Sequence, residues 1–200
     1  SAMHRMVFRL RGMSHIPGFD SALIRLTRSG GIEAFVSTPS QGQSQRTTFG
    51  RILADSLEIN ERDVRIMLGD TRLTPYGSGT FASRSLVSGG GALLNAARKL
   101  RERMCELAGL LWQLDPSEVV FSAGAVQRRD DAQQCLSLAE IGEIVHSARH
   151  EFPPGWEAGL ETRASYDPPS VPVTCAAHVA VAQVDTRSGA VQLVRYVVAE

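Results

Sequence analysis

The chain has 200 residues, 43% of them hydrophobic, which is enough for one substantial domain or two small ones sharing an interface. Its 21 Lys and Arg balance 21 Asp and Glu, so no overall field attracts nucleic acid or an anionic membrane, and any anion site has to be local. No apolar run nears the roughly 20 residues that cross a bilayer and no secretory leader opens the chain, so a cytoplasmic setting is expected.

Ser1-Ala2-Met3 resembles the remnant of a cleaved tag, which makes residues 1–18 a lead-in and 19–200 the domain proper. Ala22 to Thr27 and Ile32 to Ser37 read as strands of a hairpin turning at Ser29-Gly30-Gly31. Phe49, Ile52, Leu53 and Leu57 share a helical face and predict a helix from Arg46 to Glu58, followed by a short strand from Asp63 to Leu68. From Ser83 or Ser85 to about Leu114, apolar residues recur at steps of three and four through Leu93, Ala97, Leu100, Met104 and Leu107, predicting the longest helix. Gly89-Gly90-Gly91 inside it weakens the helix by roughly 1 kcal/mol per Gly, which implies that another backbone approaches closely there. On that reading Gly90→Leu destabilises by overpacking.

Val119 to Phe121 and Ala125 to Gln127 suggest a small hairpin turning at Gly124. Ser137 to Arg149 reads as a helix capped by Ser137 with Glu140 three residues on, and the Pro-rich stretch from Phe152 to Pro172 as an ordered loop. His178 to Asp185 and Ala190 to Val198 form a second strand pair, whose turn Thr186-Arg187-Ser188-Gly189 repeats Thr27-Arg28-Ser29-Gly30. The strand-like run to Val198 reaches Glu200 without a closing loop, which suggests a piece of a longer polypeptide. Hairpins alternating with helices, without βαβ spacing, give an α+β domain: a two-layer arrangement of helices on mostly antiparallel sheet.

Two segments place small or amide residues before a helix start, where unpaired N–H groups and partial positive charge favour an anion. They are Ser40 to Gln45 and Gly77 to Ser85. Glycine lets a ligand approach the backbone, Gln offers a neutral amide, Ser a hydroxyl, and Arg84 a fork for phosphate or carbonyl oxygen. Either segment alone is also an ordinary cap, and neither matches a Walker loop or a dinucleotide fingerprint.

The ordered series is more specific than its parts. Gly42-Gln43 with Thr47-Thr48-Phe49, Ile52-Leu53-Ala54-Asp55, Gly69-Asp70-Thr71, Thr74-Pro75-Tyr76-Gly77, Gly79 to Ser85, Gly89 to Ala92, Asp167-Pro168-Pro169 and Ala177-His178-Val179-Ala180 resembles the molybdenum-binding large subunits of xanthine dehydrogenases, aldehyde oxidases and carbon monoxide dehydrogenases. The resemblance covers nearly the whole chain from Phe19. It implies a molybdopterin cofactor in its cytosine dinucleotide form, lined by Gly42, Gln43, Ser83, Arg84 and Ser85. It also implies an oxidoreductase that hydroxylates an aldehyde, an N-heterocycle or a CO-type substrate with water. The expected partners are the remainder of the large subunit and subunits or domains carrying iron–sulfur clusters and FAD. Family members have Gly-Gln-Gly followed by His-Glu-Thr, whereas here Ser44, Gln45 and Arg46 follow Gly42-Gln43.

The family's catalytic glutamate has no matching motif in this chain, and neither Glu151, Glu161 nor Glu200 takes its place. The chain alone is therefore expected to be inactive, and Arg84→Ala to lower cofactor occupancy without unfolding the domain. A non-catalytic binding domain that keeps the fold is the alternative. The three scattered cysteines, Cys105, Cys135 and Cys175, suit reduced structural thiols. Cys175 and His178 lie on a strand-like run without a second ligand pair and read as buried structural residues, so no metal site is assigned. His146 and His150 read as a solvated helix end, Arg128 to Asp131 as an exposed turn, and Trp112 and Trp156 as packing residues.

Overall fold

A computed structural model describes residues 12, 18–147, 152, 156, 158–169 and 175–199. The expected lead-in over 1–18 lies almost wholly outside the described residues, as does His150. The chain divides into two compact units, Ser1–Pro169 and Ser170–Glu200.

The first unit is built on a sheet of four strands. β1 (Asp20–Leu26) pairs antiparallel with β2 (Ile32–Val36) through the predicted hairpin, and its turn closes with Gly30 at φ 86°. β3 (Val64–Leu68) lies parallel to β2, because α1 (Gln45–Leu57) intervenes and carries the chain back to the same end. On the far side of β1 is a strand that the sequence reading treated as loop: Leu160–Tyr166 pairs antiparallel with β1 along its whole length. Leu160, Thr162 and Ala164 alternate inward while Glu161, Arg163 and Ser165 alternate outward, but a buried Thr and an Ala give period two little apolar contrast. The Thr162 hydroxyl is satisfied by the Ala96 carbonyl at 2.9 Å.

One sheet face is covered by helices. α2 (Gly90–Trp112) packs on β1 and on the 160–166 strand, and α1 packs beside it. Ile24 and Leu26, Ile32, Phe49, Leu53 and Leu57, and Leu93, Leu100, Met104 and Leu107 meet there with essentially no exposure. The helical residues among them, from Phe49 to Leu107, are those whose three- and four-step spacing defined the helical faces. Beyond α2, β4 (Val119–Ser122) and β5 (Ala125–Arg128) form the expected small hairpin, with Ala123 and Gly124 both left-handed in its turn. β6 (Cys135–Ser137) adds a third strand that the sequence reading missed, since three residues are too few to show a period. The architecture is α+β, helices layered on mostly antiparallel sheet.

α3 (Leu138–Ser147) carries the predicted capping box: the Ser137 hydroxyl accepts from Glu140 N at 3.3 Å and Glu140 Oε2 accepts from Ser137 N at 2.8 Å. The helix lies against the β1–β2 turn through two glycines. A Cβ on Gly142 would fall 2.4 Å from the Thr27 carbonyl oxygen, and one on Gly30 would fall 2.5 Å from Ala139 N. Arg28 clamps this contact, donating to both Glu143 oxygens at 2.7 Å, and His146 Nε2 lies 3.2 Å from the Leu26 carbonyl.

The Arg28 guanidinium, with help from the Ser147 hydroxyl, holds the Glu143 carboxyl down at about 2. A depressed carboxylate contributes stability that is present above its unfolded value, and that contribution is lost as pH falls through the folded value near 2. Both side chains are more than half exposed, so salt screens the pair and its share of stability is small. We expect a carbon-detected NMR titration to place the Glu143 midpoint near 2, and Arg28→Gln to raise it toward the ordinary glutamate range, with the Ser147 hydroxyl still lowering it in part. An ordinary midpoint in the unmodified chain would mean that the clamp does not form.

The second unit is an antiparallel pair, β7 (Ala177–Val184) and β8 (Val191–Ala199), with a register shift between Val181 and Ala182. Its turn has Gly189 at φ 75°, the same left-handed glycine that closes the other Thr-Arg-Ser-Gly turn. Cys175 and His178 were expected to be buried, yet both are exposed, and His178 Nδ1 lies 3.0 Å from the Tyr196 hydroxyl. Cys175 precedes the strand, which begins at Ala177.

Candidate functional site

The two helix starts singled out in the sequence converge. α1 begins at Gln45, directly after Ser40 to Ser44, and the long helix begins as a π-helical turn over Ser85–Gly89 that runs into α2. Hydrogen bonds tie the segments together: Gln41 Nε2 donates to the Thr80 carbonyl at 3.1 Å, Ser85 Oγ lies 3.0 Å from Thr80 Oγ1, and Thr80 Oγ1 in turn bonds the Pro39 carbonyl. Between them opens a cleft of about 390 Å³. Gln41, Gln43 and Gln45 face Ser83 and Ser85 across it, Thr48 and Thr80 add hydroxyls, and Phe81, Ala82 and Leu86 supply apolar wall.

The backbone around this cleft is unusually left-handed. Gly42 and Gly79 have φ 100° and 92°, as glycine permits, but Ser44, Ala82 and Ser83 have φ 60°, 50° and 54° and carry a Cβ there. Ser44 sits at the N-cap of α1 without making a side-chain cap, at the position where the resembling family has glycine. The left-handed φ supplies the physical reason for a glycine there. Ala82 and Ser83 in the cleft wall, and Ser44 between two of its lining residues, are held in a sparsely populated region, which fits segments shaped for a ligand.

Of the five residues that the sequence nominated, Gln43, Ser83 and Ser85 line the cleft. Gly42 belongs to the same loop, exposed and with open space where a Cβ would be. Arg84 differs from its expected role. Its side chain is 6% exposed, and its Nη2 bonds Asp20 Oδ2 at 3.0 Å and the carbonyls of Gly18 and Phe19 at 3.1 and 3.0 Å. The guanidinium also lies over the Phe81 ring, 5.1 Å from its centre. Among the described residues the cleft lining therefore carries no charged side chain.

Asp20, which the sequence reading passed over, is the centre of this arrangement. It is fully buried at the start of β1 and accepts from Ser88 Oγ at 2.5 Å, Ser78 N at 3.2 Å and Ser37 Oγ at 3.3 Å besides Arg84. A Cβ on Gly77 would strike Ser37 Oγ at 2.2 Å and Asp20 Oδ1 at 2.7 Å, so the chain passes hard against this carboxylate. The network fixes the segment from Gly77 to Ser88 onto the sheet and sets where Ser83 and Ser85 stand. An isolated Asp before a strand gives no local sign of such a role.

Of the candidates set aside in the sequence, Trp112, Arg128 to Asp131, His146 and Trp156 are not among the residues that line the cleft. No group of three or more His, Cys, Asp or Glu side chains that could hold a metal occurs among the described residues. Cys105 is half-buried, and burial pushes its thiol up, away from reactivity. No helix among the described residues is long and apolar enough to cross a membrane.

Comparison with known proteins agrees with the geometry. The molybdopterin cofactor-binding domain family matches residues 2–200. The carbon monoxide dehydrogenase large chain of Hydrogenophaga pseudoflava is 30% identical over 89% of this chain and 22% of its own length. Among solved structures, reconstituted CO dehydrogenase from Oligotropha carboxidovorans superimposes with a TM-score of 0.77 at 30% identity, covering 89% of this chain and 22% of that one. Quinoline 2-oxidoreductase from Pseudomonas putida 86 does so with a TM-score of 0.75 at 33% identity, over the same shares. The chain thus spans about a fifth of the length of the curated relatives it matches. With the family matched over almost every residue and the fold shared, the chain belongs to the molybdopterin cofactor-binding domain family of the xanthine dehydrogenase and carbon monoxide dehydrogenase large subunits.

Proposed function

We propose that the cleft between the two helix starts is part of the bed of a molybdopterin cofactor in its cytosine dinucleotide form. The observation that carries this is the convergence of Gln43 with Ser83 and Ser85 on one cleft at the first turns of α1 and of the long helix. Gly42, Gln43, Ser83, Arg84 and Ser85 form the proposed set, with Arg84 acting as a positioning residue through Asp20.

The donor set suits such a ligand. The start of the long helix and the hydroxyls can take phosphate oxygens, amides can pair with the polar edge of a heterocycle, and Phe81 and Leu86 shield its apolar surface. A buried acceptor without a partner, Gln45 Oε1, adds an unmet need for a ligand donor. The molybdenum of the bound cofactor would supply the redox chemistry that places an oxygen from water on the substrate. The chain's own part is to hold and orient the cofactor and to exclude water from its polar edge.

The whole protein would be the large subunit of an oxidoreductase acting on an aldehyde, an N-heterocycle or carbon monoxide, passing electrons to iron–sulfur clusters and FAD on partner subunits or domains in the cytoplasm. Elemental molybdenum per polypeptide, and turnover of a panel of aldehydes, purines, quinolines and carbon monoxide, test this in the complete subunit assembled with its partners. We expect near-stoichiometric metal and turnover of one class. The 200-residue chain alone should carry no metal and turn nothing over, because two segments cannot offset the ordering and desolvation costs of a dinucleotide. A complete, folded subunit without molybdenum would favour the non-catalytic binding domain.

A further inference from the structure

We infer that Gln45 is a specificity residue of this cleft, accepting a hydrogen bond from an uncharged N–H or O–H donor of the ligand and keeping phosphate away from the start of α1. The inference rests on the cleft being the cofactor bed.

Gln45 is the first residue of α1 and is 5% exposed, although it lines the cleft. Its Oε1 is buried without a hydrogen-bond partner. Several neighbouring polar groups are already engaged in holding the loops. Gln43 Oε1 takes the Gln41 N–H at 2.5 Å and the Ser40 hydroxyl at 3.3 Å, and Gln41 Nε2 is spent on the Thr80 carbonyl. The Ser85 and Thr80 hydroxyls are bonded to one another, with Thr80 also on Pro39. An amide oxygen removed from water and left alone is costly, and a ligand donor meeting it relieves that cost. Phosphate oxygens are acceptors at neutral pH and would face it lone pair to lone pair. The ligand group against Gln45 is therefore a nucleobase amine or a ribose hydroxyl, and the phosphates lie further along the cleft. The resembling family has His at this position, so the carboxamide belongs to this chain's own recognition.

The test is NMR titration of the 200-residue chain, with the Gln45 side-chain carbonyl carbon as reporter, using CMP, UMP, 2′-deoxy-CMP and inorganic pyrophosphate. CMP should shift the Gln45 carbonyl together with Gln43 and Ser83. Gln45→Leu should weaken CMP by roughly two- to tenfold, the worth of one neutral hydrogen bond. The same variant should leave the unliganded chain as stable or more so, since it removes an orphaned acceptor, whereas a purely structural Gln45 would lose stability. Loss of the Gln45 shift with UMP assigns the amine, and loss with 2′-deoxy-CMP assigns the hydroxyl. A Gln45 shift from pyrophosphate as large as that from CMP, or equal CMP affinity in Gln45→Leu, overturns the inference while leaving the cofactor bed standing. Titrations with millimolar CMP that move none of Gln43, Gln45 and Ser83 would overturn the inference, whereas the cofactor bed is overturned by a complete, folded subunit that carries no pterin.

Discussion

Replacing Arg84 by alanine will lower the unfolding free energy by about 3 to 5 kcal/mol at neutral pH, the cost of leaving one partner of a buried ion pair alone. Asp20 is fully buried and Arg84 nearly so, at 3.0 Å, and the same guanidinium satisfies the carbonyls of Gly18 and Phe19. Read from the sequence alone, this substitution removes a ligand contact and spares the fold. The structure reverses the order of effects: the domain loosens first, and the cleft is lost because Ser83 and Ser85 are no longer held. Urea denaturation of the wild type, Arg84→Met, Asp20→Leu and the double variant separates the terms. The double variant should cost clearly less than the two single losses combined, since it removes both charges. An Arg84→Ala chain within about 1 kcal/mol of wild type, the range of an exposed pair, would mean that the ion pair is not formed.

Gly91→Ala should destabilise by about 1 to 3 kcal/mol through overpacking, while its neighbour Gly90→Ala should be neutral or stabilising by up to about 1 kcal/mol. A Cβ at residue 91 would lie 2.2 Å from Tyr166 Cδ1 and 2.6 Å from Cγ, ring atoms too near the backbone to swing clear without moving the end of the 160–166 strand. At residue 90 it would meet Leu86, Ile52 and Phe49 at 3.7 to 3.9 Å, ordinary contact, and the helix would gain propensity. Thermal melts of the two variants check this contrast. Equal midpoints would mean that Tyr166 does not pack on α2.

These two results also mark where local sequence stops informing. The helical faces of α1 and α2 and the first hairpin were legible because one buried face imposes a period on neighbouring residues. The glycine triplet was legible as a close approach, but its partner was not. The sequence reading expected a backbone, whereas Gly91 meets the ring of Tyr166 and Gly89 would meet the Thr38 hydroxyl at 2.8 Å. Nothing within a dozen residues of position 91 encodes Tyr166, and the strand that carries it alternates Leu, Thr and Ala too weakly to be read. The site divides in the same way. Gln43, Ser83 and Ser85 stood out because helix starts have a composition of their own, and their meeting in one cleft followed from the ordered motifs. Asp20 lies 64 positions before Arg84, so the pairing that turns a presumed ligand fork into a brace has no local trace. Gln45 stands in the sequence as the end of the first helix-start segment and as a departure from the family's pattern, and neither shows the burial that gives it significance.

The central claim, that this cleft carries the cofactor, is tested most directly by blocking it and measuring released pterin. Thr48 lies on the first turn of α1 in right-handed helical backbone and lines the cleft, so Thr48→Trp fills the space without touching the Asp20 network. In the complete subunit, acid oxidation should release fluorescent pterin and CMP in near-equal amounts from wild type and at least tenfold less of both from Thr48→Trp, with the melting midpoint kept within a few degrees. Undiminished pterin and CMP from a folded Thr48→Trp subunit would place the cofactor elsewhere and contradict the account.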